Sequence, residues 1–214
     1  MPVVIRIPYG GGIGAVEHHS ESPEAYFAHT PGLRVISPSN SNDAYWMIQQ
    51  AIESNDPVIF FEPKRRYWQK GMVNLDSPPS SMHDAKVLRE GTQVTLVSYG
   101  PMIPTALQAA EIAASEGISI EVVDLRSMSP IDFSTIINSV KKTGRLVVAS
   151  EASTSFSVSA EIAAKVAELA FYHLEAPVIR VGSFDVPYPP AKLEELFLPD
   201  ADRILEAVDR SLNY

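Results

Sequence analysis

From residue 94 to the C-terminus the sequence alternates strand-length apolar runs with segments of helical periodicity, joined by connections of a few residues. That alternation is the strongest constraint on the fold. Two strands joined through a helix pair in parallel, and a parallel sheet needs helices over its faces. The apolar runs fall at 94–99, 118–125, 146–149 and 178–181, and the helical segments at 101–116, 132–142, 159–171 and 200–212. Gly117 and Gly144 stand just past two of these helices, and Lys141 and Lys142 occupy a last turn, where cations suit the helix dipole. The predicted architecture of this half is a three-layer α/β domain with a mainly parallel sheet.

A shorter alternation precedes it. Residues 33–36 and 58–61 read as strands flanking a helix that opens at Ser41, Asn42 and Asp43. Ala44, Met47, Ile48 and Ala51 share one face of that helix at 3.6-residue spacing, so the two strands are expected to run parallel. Residues 3–7 are a further β-branched run, and Gly10-Gly11-Gly12-Ile13-Gly14 is a loop. Ser22, Pro23 and Glu24 carry the chemistry of a helix start. Between the two alternations lie Pro63, Gly71, Pro78, Pro79 and serines at 77, 80 and 81. The predicted organisation is therefore 1–76, a linker at 77–92, and 93–214.

Composition narrows the chemistry. A chain of 214 residues, 45% hydrophobic and 20% charged, can bury a core without covalent staples. It has no cysteine, which excludes disulfides, thiolate nucleophiles and Cys-ligated zinc or iron–sulfur centres. The net charge of −9 argues against nucleic acid as a partner, since phosphate binding needs a basic stripe. No run approaches the ~20 apolar residues of a membrane helix, so no membrane partner is expected. The chain enters its first strand directly, without the features of a signal peptide, as expected of a late start relative to a longer parent.

The glycine loop lacks the Gly-Lys-Ser/Thr continuation of a phosphate loop and the spacing of a dinucleotide loop, and reads as a turn needing positive φ. His18 and His19 follow it, just before a helix start. Imidazole titrates near neutrality, with an unperturbed pKa of ~6.5, which makes these two the candidate proton carriers. Adjacent histidines do not aim both rings at one ion, and no G-x-S-x-G elbow is present, so zinc and serine-hydrolase chemistry are disfavoured. His29, His83 and His173 read as structural or surface residues. Lys64-Arg65-Arg66-Tyr67-Trp68 is a basic and aromatic cluster at a strand end, a composition suited to an interface. Tyr188-Pro189-Pro190 reads as a rigid connector.

The motif His19-Ser20-Glu21-Ser22-Pro23-Glu24-Ala25-Tyr26-Phe27 resembles the β subunit of the first (E1) component of 2-oxo acid dehydrogenases. The same holds for Asp56-Pro57-Val58-Ile59-Phe60-Phe61-Glu62-Pro63-Lys64, Val123-Asp124-Leu125-Arg126, Thr143-Gly144-Arg145 and Glu175-Ala176-Pro177-Val178. The resemblance covers essentially the whole chain. Within the family it is closest to the branched-chain (2-oxoisovalerate) type, on the His-Ser-x-Ser-Pro-Glu-Ala and Phe-Phe-Glu-Pro-Lys runs and the closing Asn213-Tyr214.

The resemblance implies a fold: a partial thiamine-diphosphate pyrimidine-binding domain, then a transketolase C-terminal-like α/β domain. It implies oxidative decarboxylation of a 2-oxo acid, with acyl transfer to the lipoyl group of the acyltransferase E2. It implies a heterotetramer with an α subunit and a second β subunit. Thiamine diphosphate and magnesium would be held in that assembly, whose α subunit takes the diphosphate and the metal. The family segment carrying the cofactor-activating glutamate is not matched here, and Glu17, Glu21 and Glu24 stand in no equivalent context. No cofactor-binding residue is therefore carried over, and this chain alone is expected to be inactive. His19 matches the family's active-site histidine. Ala51, Ser54 and Asp56 fall in the turn whose backbone carbonyls would hold potassium. The family's paired glycines after Glu151-Ala152 are replaced by Ser155-Phe156-Ser157. The location implied is the cytoplasm of a bacterium or the mitochondrial matrix. Two alternatives stay open: a pyruvate dehydrogenase E1 β subunit, and a non-catalytic module for dimerisation and E2 docking.

Overall fold

The computed structural model describes residues 1–78 and 80–214; Pro79, part of the expected linker, lies outside the described residues. In chain order its first elements are β1 (Val4–Tyr9), α1 (Glu17–Ser20), α2 (Glu24–Ala28), β2 (Arg34–Ile36), α3 (Ser41–Glu53), β3 (Val58–Pro63) and β4 (Lys86–Arg89). There follow β5 (Val94–Ser98), α4 (Ile103–Ser115), β6 (Ile120–Asp124), β7 (Ser127–Ser129), α5 (Phe133–Thr143) and β8 (Leu146–Ser153). The last are α6 (Val158–Leu169), β9 (Ile179–Ser183), α7 (Glu194–Phe197) and α8 (Ala201–Leu212). No helix among the described residues is long and apolar enough to cross a membrane.

Two sheets result, one ordered β1-β3-β2-β7 and the other β4-β6-β5-β8-β9. The expected parallel pairs are present: β2 with β3, β5 with β6 and β8, and β8 with β9. In the second sheet α4 and α8 cover one face, around Leu96, Val122, Val147 and Val181. Helices α5 and α6 cover the other, around Val97, Val123 and Val148. These strands are buried on both sides, which is why they read as continuous apolar runs. In the first sheet, alternate residues of β3 part company. Val58 and Phe60 pack under α3 with Ile36, Met47 and Ala51. Ile59 and Phe61 turn the other way and join Tyr9, Val35, Val97, Tyr99 and Leu125 in a core that runs continuously between the two domains.

Local signals account for the helix ends. The Asn40 side chain accepts the Asp43 N–H at 2.9 Å and caps α3 one residue ahead of the expected start. Asp132 and Asp200 cap α5 and α8 in the same way, and Gly144 closes α5 at φ +71°. Ser22 does not cap α2: the N-cap position is Pro23, and the helix is a single short turn. Phe156 adopts φ +54° and is almost wholly exposed. A bulky side chain thus sits in the left-handed region where the family resemblance has glycines, at a cost of about 1–3 kcal/mol.

One strand crosses between the domains, and the expected linker supplies another. Within the 77–92 segment expected to be a linker, β4 forms and pairs antiparallel with β6 at the edge of the second sheet. Conversely β7, from the later half of the chain, pairs antiparallel with β2 of the first sheet. The bend between β6 and β7 is held by Arg126, a fully buried residue at φ +58°. Its guanidinium donates to Ser80 Oγ at 2.9 Å, to the Ser81 and Asp84 carbonyls at 2.8 Å each, and to Asp43 Oδ1 at 3.1 Å. Asp43, also fully buried, accepts from Lys86 Nζ at 2.9 Å as well. The Arg126 carbonyl receives the Ser37 N–H at 2.9 Å, and its N–H meets Asp124 Oδ1 at 3.1 Å. Burial, with Asp43 nearby, raises the Asp124 carboxyl to about 7 despite the bond from Ser39.

Arg126→Met would leave Asp43 with the Asn40 amide and a single cation, Lys86. The expected loss is about 3–5 kcal/mol, the range for removing one partner of a buried ion pair, read from urea unfolding. Lys165→Met, which breaks the exposed Lys165–Glu168 pair, should leave the urea midpoint unchanged.

Candidate functional site

In a parallel sheet ligands gather at the carboxyl ends of the strands. Here the carboxyl ends of strands from both sheets meet. The first domain contributes the residues after β1, β2 and β3: the glycine loop, Ser37 to Ser39, and the turn Lys64–Arg66. The second contributes Tyr99 to Met102 after β5, and Ser150-Glu151 near the end of β8. The contacts are direct. Arg65 and Arg66 both donate to the Pro101 carbonyl, Arg66 Nη2 at 2.6 Å and Arg65 Nη2 at 3.1 Å. Arg65 also pairs with the buried Glu151. Gly100, at φ +51°, lies so close to Tyr9 and Ser37 that a Cβ there would sit 2.4 Å from the Tyr9 hydroxyl oxygen.

The glycine loop is gripped by two carboxylates of the second domain. Gly11 N–H donates to Glu151 Oε2 at 3.1 Å. Gly12 and Gly14 N–H donate to the two oxygens of Glu194 at 2.9 Å each. The Tyr188 hydroxyl donates to Glu194 as well and packs against Phe197 at 5.0 Å between ring centres. Burial pushes the Glu194 carboxyl up, but the Tyr188 hydroxyl and the Gly14 and Gly12 N–H groups outweigh it and hold it below the usual range. Burial raises Glu151, opposed by Arg65 and the Gly11 N–H. An array of loop N–H groups is an anion site, and in this chain the anions are its own side chains.

That occupancy decides a fit. The loop cannot cradle a diphosphate while Glu151 and Glu194 hold its N–H groups. No cluster of three or more His, Asp or Glu side chains suited to a metal ion occurs among the described residues. The residues present therefore do not fit the diphosphate and magnesium of thiamine diphosphate.

The loop leads into α1, which carries His18 and His19. Both rings are exposed and lie against each other, 4.1 Å between centres. The His19 N–H donates to the Val16 carbonyl at 3.0 Å. His19 thus sits on a turn anchored by the second domain, with its ring directed outward. His29 is exposed beside a groove of about 800 Å³ between α2 and α6. His83 bonds Ser127 Oγ at 3.3 Å, and burial lowers its pKa. His173 is exposed.

Ala51, Ser54 and Asp56 lie together at the C-terminus of α3. The Ala51 carbonyl accepts the Ser54 N–H at 3.3 Å, and Ser54 Oγ accepts the Asp56 N–H at 3.1 Å. The Asp56 carboxylate pairs with Arg34 at 2.7 Å. In the Lys64–Trp68 cluster the two arginines serve the joint between the domains. Tyr67 donates to Glu62 at 2.7 Å and is pushed up to about 12, first by burial. Trp68 is exposed on the rim of a 700 Å³ groove with Arg6, Phe60 and Glu62.

Sequence reasoning missed Glu151, Tyr188 and Glu194. For Glu151 a signal existed: a carboxylate at the end of the apolar run Val147-Val148-Ala149-Ser150 must find partners wherever that strand is covered. The other two carry none, because long-range packing gives them their partners.

Comparisons with known proteins agree with this architecture. Residues 1–69 match the transketolase pyrimidine-binding domain and residues 83–204 the transketolase C-terminal domain. The chain is 65% identical to the pyruvate dehydrogenase E1 component subunit beta of Leifsonia xyli subsp. xyli, over 100% of its own length and 64% of the relative's. It is 51% identical to the 3-methyl-2-oxobutanoate dehydrogenase subunit beta of Mycobacterium tuberculosis, over 99% of its length and 61% of the relative's. The chain thus spans somewhat under two thirds of these two relatives. Among solved structures, an inactive β4 tetramer of a split-gene transketolase superposes with a TM-score of 0.78 at 28% identity, covering 99% of this chain and 66% of that one. A transketolase from Pichia stipitis shares the fold, with a TM-score of 0.71 at 17% identity, over 99% of this chain and 30% of that one.

A Cβ on Gly11 would lie 2.3 Å from the Tyr188 hydroxyl and 3.0 Å from Leu198 Cδ2. Gly11→Ala should therefore lift the loop at a cost of about 1–3 kcal/mol. Tyr188→Phe removes the nearest atom, so the double variant should lose less than the sum of the single losses. Thermal denaturation of the three variants measures this; strict additivity would contradict the contact.

Proposed function

The chain belongs to the transketolase family, and from that membership we propose that it is part of the β subunit of a thiamine diphosphate-dependent 2-oxo acid dehydrogenase. The observation that carries the proposal is similarity over the whole chain to two β subunits, named for pyruvate and for 3-methyl-2-oxobutanoate. In this reading the cofactor belongs to the assembly with an α subunit. Bound there, it would supply the electron sink for decarboxylation of a 2-oxo acid, with the lipoyl group of E2 as the acyl acceptor. A second β subunit completes the heterotetramer, and the β4 assembly of a structural neighbour supports pairing between copies. Potassium on the carbonyls of the Ala51–Asp56 turn, and a cytoplasmic location in a bacterium, belong to the same proposal.

This chain's own part is positional. The carboxylates of Glu151 and Glu194 fix the glycine loop, and the loop fixes the turn that presents His18 and His19. An exposed imidazole on an anchored turn can hold or deliver a proton to a group bound against that face. The branched-chain substrate expected from the His-Ser-x-Ser-Pro-Glu-Ala motif has a pyruvate-type competitor, favoured by the higher identity to the Leifsonia protein. The full-length β subunit, assembled with its α subunit and assayed with 3-methyl-2-oxobutanoate against pyruvate, distinguishes the two. No turnover of either 2-oxo acid would refute the family activity.

In that assembly His19→Ala is expected to lower turnover by ~10²–10⁴-fold, the usual contribution of a positioned acid–base group, with an unchanged thermal midpoint. His18→Ala should have the smaller effect. A lowered midpoint with normal specific activity of the folded fraction would return His19 to a structural role.

A further inference from the structure

A cavity away from the glycine loop lies at the outer edge of the second sheet. Strand β9 ends that sheet, paired with β8 on one side only. The cavity has a volume of about 320 Å³. Its walls are Thr154, residues 179–185, and Arg203, Glu206, Ala207 and Arg210 of α8. That size falls at the small end of ligand cavities, which run from ~300 to ~1,000 Å³.

Three guanidinium groups line it: Arg180, Arg203 and Arg210. Arg203 donates to the Gly182 carbonyl and, at 3.3 Å, to the Phe197 carbonyl, and its Cζ lies 4.7 Å from the centre of the Phe184 ring. Arg180 donates to the Thr154 carbonyl. Such bonds position a guanidinium without neutralising it, and each leaves N–H donors to spare. None of the three is paired with a carboxylate among the described residues. The chain has 26 Asp and Glu against 17 Lys and Arg, and Arg6, Arg34, Arg65, Arg126 and Arg145 all have an acidic partner. Three unpaired arginines around one cavity therefore run against the charge of the whole chain.

Two acids share the lining. Asp185 accepts the Ser155 hydroxyl at 2.6 Å. Glu206 is exposed and makes no ion pair among the described residues. Arg210 stands in the last turn of α8, where a cation suits the helix dipole, but that does not account for Arg180 or Arg203. Ser183, only 2% exposed, lines the same cavity, and its Oγ has no hydrogen-bond partner.

We propose that this cavity is an oxyanion site that binds a phosphate group, free or carried by a small molecule. The planar fork of Arg matches phosphate oxygens. A phosphate monoester brings a charge of about −1.5 to −2 and three strong acceptor oxygens, to be set against three cations and the carboxylate of Glu206. A carboxylate ligand, with a single charge, would leave the arginines less fully compensated.

Isothermal titration calorimetry of the full-length protein tests the site, with glycerol phosphate and inorganic phosphate titrated separately at constant ionic strength. Saturable binding is expected. Arg210→Met removes an exposed cation that holds no ion pair, and should weaken binding by ~10–100-fold, the effect of losing one hydrogen bond to a charged group. Arg180→Met, also at an exposed position, should act in the same direction. Glu206→Gln should tighten binding, and Lys165→Met, on α6, should leave it unchanged. Tighter binding of glycerol phosphate than of phosphate identifies an ester as the ligand, and equal binding identifies the free anion. Absence of saturable binding of both, or equal affinity in the wild type, Arg210→Met and Arg180→Met, would overturn the site.

Discussion

A guanidinium shut away from water needs acceptors, and Arg126 draws four of them from two separate stretches of chain, while a third stretch meets its carbonyl. Asp43 comes from the first turn of α3, Ser80, Ser81 and Asp84 from the segment crossing between domains, and Ser37 reaches the Arg126 carbonyl from the end of β2. Leaving such a charge uncompensated would be far more costly than any single surface contact is favourable. The crossing segment, the helix over the first sheet and the bend after β6 are therefore fixed together. That bend also delivers β7 to the first sheet, so the buried ion pair and the crossing strand enforce one relative placement of the two sheets.

That placement brings the carboxyl ends of both parallel sheets face to face, and the chemistry of the site follows. Glu151 and Glu194 accept hydrogen bonds from the N–H groups of the glycine loop. A loop of this composition is intrinsically mobile; here it becomes a rigid shelf for α1. The cost is a joint containing several buried acids, two of which are raised to about 7 and about 8. Both contribute stability that declines as the solution becomes alkaline. The arrangement positions two imidazoles outward without using them in the fold.

The parts of the fold legible in the sequence were those governed by short-range rules. The strands buried on both faces read directly as apolar runs, and Asp132, Gly144 and Asp200 marked their helix ends. Edge strands were not visible: β4 has the sequence Lys-Val-Leu-Arg and β7 Ser-Met-Ser, and pairing across the domain joint gives them their shape. The site was half visible. His19 could be singled out because imidazole chemistry on a loop is unusual in itself. Tyr188 read as part of a rigid connector and Glu194 gave no signal, because the glycines that Glu194 binds lie 180 and 182 residues earlier in the chain. The basic cluster at Lys64–Arg66 did suit an interface, but one that lies inside the chain.

The central claim is that buried polar contacts weld the two domains into one cooperative unit. Differential scanning calorimetry of the chain tests it most directly. The account predicts a single transition whose calorimetric and van't Hoff enthalpies agree, the signature of all-or-none unfolding. Two separable transitions, with the sheet of β1, β2 and β3 melting ahead of the other, would contradict it.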